Sequence, residues 1–301
     1  MAVAVAAVAA MGKATPGGAR VLIVGGDGLI GSALRRGLPE LGFDVAASSR
    51  RPGSTLALDL GNPGSWPDLG GFDAAVIVAA LARLGDCDRA PEQSREINAL
   101  APKILAERLA GQGTYVVQIS TDKVFDGSRP LRRREEPTCP NTVYGRHKAE
   151  AEDAVLKTGG AVLRLSKVLA PDLALLWGWA TELVAGRAVQ AFSDMWLAPV
   201  TVGFVVDLLA RLLADRPLGI FHATGGEDRP YAELARRLAI ALGAEPALVQ
   251  AVATPPALAA VSHVPHSTLE MSRERVRYGL GNLAFAAVTE QVAAAVRSSI
   301  A

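Results

Sequence analysis

Val-Leu-Ile-Val-Gly-Gly-Asp-Gly-Leu-Ile-Gly, residues 21–31, decides the fold. Four aliphatic residues run directly into a glycine-dense turn, and residues 32–41 continue as a helix that tolerates one glycine, Gly37. The order is strand, tight loop, helix. Gly25, Gly28 and Gly31 fall at G-x-x-G-x-x-G spacing, which lets a backbone turn sharply, approach a pyrophosphate and pack a helix against a strand. The free N–H groups of the helix start then face the anion. In this context the spacing predicts a dinucleotide-binding turn rather than a merely structural one.

Working outward, apolar runs predict further strands over 43–47, 56–58, 74–80, 115–120 and 161–165. Helices are expected between them, most clearly over 97–110, where Gly111 stands at the usual C-terminal position, and over 144–157. Near-continuous apolar strands alternating with helices mark a parallel sheet covered on both faces. The fold class is therefore α/β, a Rossmann-type doubly wound parallel sheet with a smaller, partly helical C-terminal substrate lobe. Residues 1–18 read as a loose extension, 19–168 as the dinucleotide-binding domain and 169–301 as mainly the substrate lobe. A helix over 200–214 and a strand over 219–223 are expected to return to the first domain, while 230–242 and the Pro- and Ala-rich stretch to 260 belong to the lobe.

Composition narrows the function. With 301 residues, 50% hydrophobic and 20% charged, the chain has ample material for a core. Lys and Arg total 31 against 30 Asp and Glu, a net charge of +1 that offers no handle for nucleic acid or an anionic membrane. A small-molecule partner is expected. Cys87 and Cys139 cannot build a disulfide framework or a thiolate zinc site, which fits a reducing cytoplasm. The apolar residues 1–11 fall short of the roughly 20 needed to span a membrane and lack the basic start of a secretory signal; Met11 is a candidate initiation site.

Two further patterns carry chemistry. After the second strand, where an NAD site usually presents Asp or Glu to the adenosine ribose, this chain has Ser48-Ser49-Arg50-Arg51. Asp44 lies at the wrong end of that strand, and arginine suits a 2′-phosphate, so NADP is favoured over NAD. Asp59, ending the short third strand, is a candidate to contact the adenine. The second pattern is Tyr144-Gly-Arg-His-Lys148, whose outer residues share a helical face. A phenol titrates near about 10 when unperturbed, and a cation one turn away would make it a proton shuttle closer to neutral pH.

Together with Ile119-Ser-Thr-Asp-Lys-Val-Phe-Asp-Gly127, Glu152, the Asn98 helix and the stretch 194–201, these residues resemble the extended short-chain dehydrogenase/reductase superfamily, and within it the dTDP-4-dehydrorhamnose reductase family. The resemblance runs from about residue 20 to 245. It implies an NAD(P)-dependent oxidoreductase that reduces a keto group on a nucleotide-linked sugar or similar polar metabolite. Tyr144 would protonate the carbonyl oxygen, Lys148 would bind the nicotinamide ribose and lower the Tyr144 pKa, and Thr121 would hydrogen-bond the carbonyl, with Ser120 as understudy. The cofactor, NADP with NAD as the alternative, would be held by Gly25, Gly28, Leu29, Ile30, Gly31, Arg50, Asp59, Leu60, Ala79 and Asn98, besides Tyr144 and Lys148. Two alternatives stay open: an epimerase or dehydratase that retains its cofactor, and a non-catalytic NADP-binding subunit similar to the regulatory subunit of methionine adenosyltransferase. The family leans to a homodimer.

The departures concentrate where substrate would be recognised. Lys123 stands where family members usually have Tyr, Lys167 where Trp is common, and Val264-Pro265 where Arg-Pro is frequent. Trp177, Trp179 and Trp196 lie in the region expected to approach substrate; core packing is the expected role for any one of them, with one stacking on a base or sugar as the alternative. Arg132-Arg133-Arg134, followed by Glu135-Glu136, reads as a solvated loop, and His263 and His266 as loop residues rather than metal ligands. No G-x-S-x-G elbow or G-x-x-x-x-G-K-S/T loop is present.

Overall fold

The computed structural model describes residues 18–51, 56–256 and 264–300. Residues 1–17 of the expected extension, and His263, lie outside the described residues. Six strands form the central parallel sheet: β1 Arg20–Val24, β2 Asp44–Ala47, β3 Ala74–Ile77, β4 Tyr115–Thr121, β5 Ala161–Leu165 and β6 Gly219–Ala223. Their spatial order is β2-β1-β3-β4-β5-β6. The reversal after β1 is the topological switch point at which α/β sheets bind ligands. Every side chain of β3 is buried, as are four of the five in β1, which is why these segments read as unbroken apolar runs.

Four helices pack in pairs beside the sheet: α1 Leu29–Glu40 against α4 Val202–Asp215, and α2 Ala101–Gly111 against α3 Val143–Lys157. The chain divides into two units. The first comprises residues up to Val124, Pro140–Arg164 and Val202–Phe221, and the second Phe125–Cys139, Leu165–Thr201 and His222 onward. In the first, a core of Leu22, Val24, Leu58, Leu60, Trp66, Ile77, Leu105 and Val116 fills one side of the sheet. In the second, Leu176, Trp179, Leu183, Leu234, Leu238, Phe285 and Val292 form a separate core.

Several expectations are corrected. The strand foreseen over 56–58 is a single parallel bridge, Ser49 to Ala57, because Leu58 and Leu60 turn inward into the core instead of extending the sheet. The helix foreseen from residue 97 starts as a π-helical turn, Glu96–Leu100, before α2. Helix α1 starts three residues earlier than expected, so Leu29, Ile30 and Gly31 form its first turn. Arg132 and Arg134 are buried, not solvated. Arg132 donates to Asp126 at 2.6 Å and to Glu136 at 2.9 Å, and Arg134 to Glu274 at 2.5 Å. The acidic partners that make burial affordable come from the loop itself and from more than a hundred residues away, beyond the reach of local sequence reading.

Gly31 illustrates the packing. A Cβ there would lie 2.0 Å from the carbonyl oxygen of Gly25, so nothing larger fits between α1 and the turn below it. Gly31→Ala is expected to cost about 3 kcal/mol of unfolding free energy, measured by urea denaturation, because backbone rather than a side chain must move. A loss under about 1 kcal/mol would show that the turn relaxes freely.

Candidate active site and nucleotide turn

Every residue of this site belongs to the first unit. Gly25 adopts φ +97°, open to glycine alone without strain, and its backbone presses on the next loop: a Cβ there would sit 2.7 Å from that of Ala79. The turn is tied to the end of β2, since Gly25 N donates to Ser48 Oγ at 3.1 Å and Gly26 N to the Ser48 carbonyl at 2.8 Å. Ala79 N donates to the Val24 carbonyl at 2.9 Å, completing the floor. Gly28 is the N-cap of α1 and has no side chain with which to cap it, so the helix start keeps donors to offer. A Cβ at Gly28 would meet only the Gly25 carbonyl, at 3.9 Å. The chain's own packing does not require glycine there; a ligand against the turn would. The residues present therefore fit a dinucleotide pyrophosphate.

The other foreseen cofactor residues divide. Arg50 is exposed, three residues past the end of β2. Asp59 is exposed and its carboxylate accepts from Gly61 N at 3.1 Å, a local turn contact. Leu60 spends its side chain in the core. Asn98 is wholly buried in the π-helical turn. Its Oδ1 accepts from Leu81 N and its Nδ2 donates to the Leu81 carbonyl, both at 2.9 Å, so it holds the backbone after β3. Nδ2 also donates to Ser94 Oγ at 3.1 Å, and Ser94 Oγ bonds His147 Nδ1 at 3.0 Å, linking that backbone to α3.

Helix α3 carries Tyr144 and Lys148. Thr142 caps it, its Oγ1 accepting from Gly145 N at 3.0 Å. A Cβ at Gly145 would lie 2.0 Å from the Lys123 carbonyl, so the residue after Tyr144 must be glycine for α3 to rest on the turn that follows Thr121. Gly145 was readable in the sequence but carried no weight there without this contact. Thr121 Oγ1 donates to Asp122 Oδ1 at 2.9 Å and accepts from Lys123 N at 3.2 Å. Ser120, the expected understudy, is already committed: its hydroxyl donates to Glu152 Oε1. Arg164 grips the same carboxylate, Nη2 to Oε2 at 2.7 Å and Nε to Oε1 at 3.1 Å, with both side chains 2% exposed.

The electrostatics correct one expectation. Burial pushes the Tyr144 phenol well above its ordinary value, and the neighbouring Cys87 and Asp122 push the same way. Lys148 is still a cation at neutral pH but does not offset this rise; burial pushes its own ammonium down to about 8, with Glu152 opposing that shift. A phenol so placed stays protonated throughout the neutral range, so it carries a proton there but as a weaker acid than a free phenol.

The positions that depart from the family are placed as follows. Lys123 Nζ pairs with Asp122 Oδ2 at 3.3 Å. In the second unit, Trp179 is buried, its Nε1 donating to the Gln190 carbonyl at 3.2 Å, whereas Trp177 and Trp196 are exposed rather than in the core. Trp196, Leu131, Pro130, Pro265, His266 and Thr268 line a cleft of about 390 Å³ in that unit. Asp228 shapes its wall, accepting from Ser267 N at 2.7 Å and Thr268 Oγ1 at 2.8 Å. Among the described residues, no group of three His, Cys, Asp or Glu could hold a metal ion, and no helix is long and apolar enough to cross a membrane.

Comparison with known proteins yields a family model and relatives. The model described as RmlD substrate binding domain matches residues 19–298. The chain is 31% identical over 269 residues to a dTDP-4-dehydrorhamnose reductase of Streptomyces griseus, covering 84% of this chain and 86% of that one. It is also 31% identical over 235 residues to methionine adenosyltransferase 2 subunit beta of Xenopus tropicalis, covering 72% and 70%. Among solved structures, dTDP-4-dehydrorhamnose reductase from Bacillus anthracis in complex with NADP superposes with a TM-score of 0.77 over 94% of this chain and 98% of that one, at 19% identity.

Proposed function

The chain belongs to the RmlD substrate binding domain family, an oxidoreductase family of the extended short-chain dehydrogenase/reductase type, and from that premise we propose that it is an NADPH-dependent reductase of a keto group on a nucleotide-linked sugar. The observation that carries the reading is a half-buried, protonated Tyr144 one helical turn from a buried Lys148, on a helix seated against the turn that holds Thr121. The open backbone at Gly28 and the arginines after β2 support NADPH as cofactor, as does the NADP bound by the Bacillus anthracis neighbour. NADH is the alternative.

NADPH, when bound, would supply the hydride for the carbonyl carbon. Thr121 turns its hydroxyl from Asp122 to the carbonyl oxygen, where it stabilises the growing negative charge. Tyr144 donates its proton to that oxygen as hydride adds to the carbon; the raised phenol pKa opposes the transfer, and the still greater basicity of the forming alkoxide drives it. Lys148 holds the nicotinamide ribose through its ammonium N–H donors. The test is oxidation of NADPH across a panel of nucleotide keto sugars. Turnover on one or more members supports the reductase. The 31% identity to methionine adenosyltransferase 2 subunit beta favours a second reading, a subunit that binds dinucleotide without turnover; NADPH binding with no oxidation on any member would select it.

Two expected results follow from the geometry. Gly28→Ala leaves unfolding free energy within about 0.5 kcal/mol of wild type but weakens NADPH binding about tenfold or more, since the new methyl enters space open only to the ligand. Equal affinity by fluorescence titration would remove Gly28 from the cofactor site. The pH profile is the second. Lys148 is protonated below about 8 and neutral above it, so kcat/KM is expected to be flat near pH 7 and to fall about tenfold per unit above 8. This fall is not unfolding. Between about 8 and its ordinary 10.5, the unfolded chain holds a Lys148 proton that the folded chain has released, so this group makes the fold more stable as pH rises. A profile flat to pH 9.5 would exclude Lys148 from the reaction.

A further inference from the structure

The second strand ends without the carboxylate that reads an adenosine ribose, yet a carboxylate stands there. It is Asp27, supplied by the glycine turn. Its Oδ2 accepts a hydrogen bond from Ser49 Oγ and lies 3.6 Å from Arg51 Nε, while Oδ1 lies 3.9 Å from Arg35 Nη1. Ser49 Oγ in turn accepts from Arg51 N at 3.0 Å. The bonds from Gly25 N and Gly26 N to Ser48 lock the turn to the strand end, which brings residue 27 to residues 49 and 51. One hydroxyl and two guanidinium groups thus converge on one internal anion at the strand end where α/β folds read the 2′ position.

We propose that Asp27 sets the choice between NADPH and NADH by occupying, as an internal anion, the serine and arginine site that a 2′-phosphate needs. The proposal rests on the dinucleotide reading above and deepens it. A 2′-phosphate takes Ser49 and Arg51 only by displacing the Asp27 carboxylate, and afterwards sits beside it as a like charge. An unphosphorylated 2′-hydroxyl meets the opposite situation, because Asp27 is an acceptor for it and no charge is displaced. Arg35 and Arg51 keep the site attractive to phosphate, so both cofactors bind and Asp27 narrows the gap between them.

The test is fluorescence titration of wild type, Asp27→Asn and Arg51→Ala with NADPH and with NADH. Asparagine keeps the shape and the bond to Ser49 while removing the charge. The expected result is a fall of about tenfold in the Kd for NADPH in D27N, with the Kd for NADH rising two- to threefold by estimate from the lost charge interaction. The NADPH gain shrinks at 0.5 M salt, where the screening length is about 4 Å. Arg51→Ala should weaken NADPH about tenfold and leave NADH unchanged. An NADPH-to-NADH ratio in D27N equal to or lower than that of wild type overturns the proposal while leaving the cofactor site standing. Failure of wild type to bind either nucleotide overturns the dinucleotide reading itself, and this proposal with it.

Discussion

Tyr144→Phe is expected to lower kcat for keto-sugar reduction about 10³-fold while leaving the Kd for NADPH within twofold. The variant removes one oxygen and one proton from a residue whose burial holds that proton firmly at neutral pH. Phenylalanine preserves the ring, so α3 keeps its seat on the turn after Thr121, fixed by Gly145 against the Lys123 carbonyl. Lys148 and the glycine turn are untouched, which is why binding should survive. What disappears is the acid. On the proposed mechanism Thr121 would still hydrogen-bond the oxyanion, but an aliphatic hydroxyl is a far weaker acid than a phenol and does not replace the lost proton. Single-turnover measurement with NADPH prebound isolates the chemical step from release. A kcat within tenfold of wild type would mean that another group, or water, delivers the proton, and would remove the main support for the reductase mechanism.

Glu152→Ala is expected to cost about 4 kcal/mol of unfolding free energy, a large share of the roughly 5–15 kcal/mol that holds a typical protein folded. Glu152 is 2% exposed and neutralises an equally buried Arg164 through bonds of 2.7 and 3.1 Å, besides accepting from Ser120. Alanine removes the carboxylate that a guanidinium buried on β5 and a hydroxyl on β4 share. The carboxylate is the point where α3, β4 and β5 are joined, so Thr121 loses its alignment as well, and activity should fall further than stability alone explains. Glu152→Gln, which keeps an acceptor but not the charge, should lose about half as much. Replacing both partners, Glu152→Leu with Arg164→Met, should recover most of the stability and little of the activity. Urea denaturation of the three variants checks this. A loss below about 1 kcal/mol in Glu152→Ala would show that Arg164 finds solvent or another partner.

Much of the site was legible because its parts are local. The glycine turn lies within seven residues, Tyr144 and Lys148 within one helical turn, and β1 and β3 are apolar on both faces, so period and spacing alone reveal them. Asp27 shows the limit. In the sequence it is one polar residue in a glycine loop, and only the bond to Ser49, 22 residues on, makes it part of the cluster at the end of β2. Ser120 shows the same limit in reverse: its place at a strand end suggested a catalytic hydroxyl, and Glu152 had already taken it. Lys148 likewise looked like the charge that lowers the Tyr144 pKa, but burial acts on both groups and no local pattern reports burial.

The sequence by itself determined the α/β class, the glycine turn and the candidate acid and lysine, since each depends on residue type and separations of a few positions. Tertiary structure alone decided which polar groups are free and which are spent: Asn98 on Leu81, Ser120 and Arg164 on Glu152, Arg134 on Glu274, Asp27 on Ser49 and Arg51. The physical reason is that a buried polar or charged group must find a partner, and the chain supplies that partner from any distance along its length.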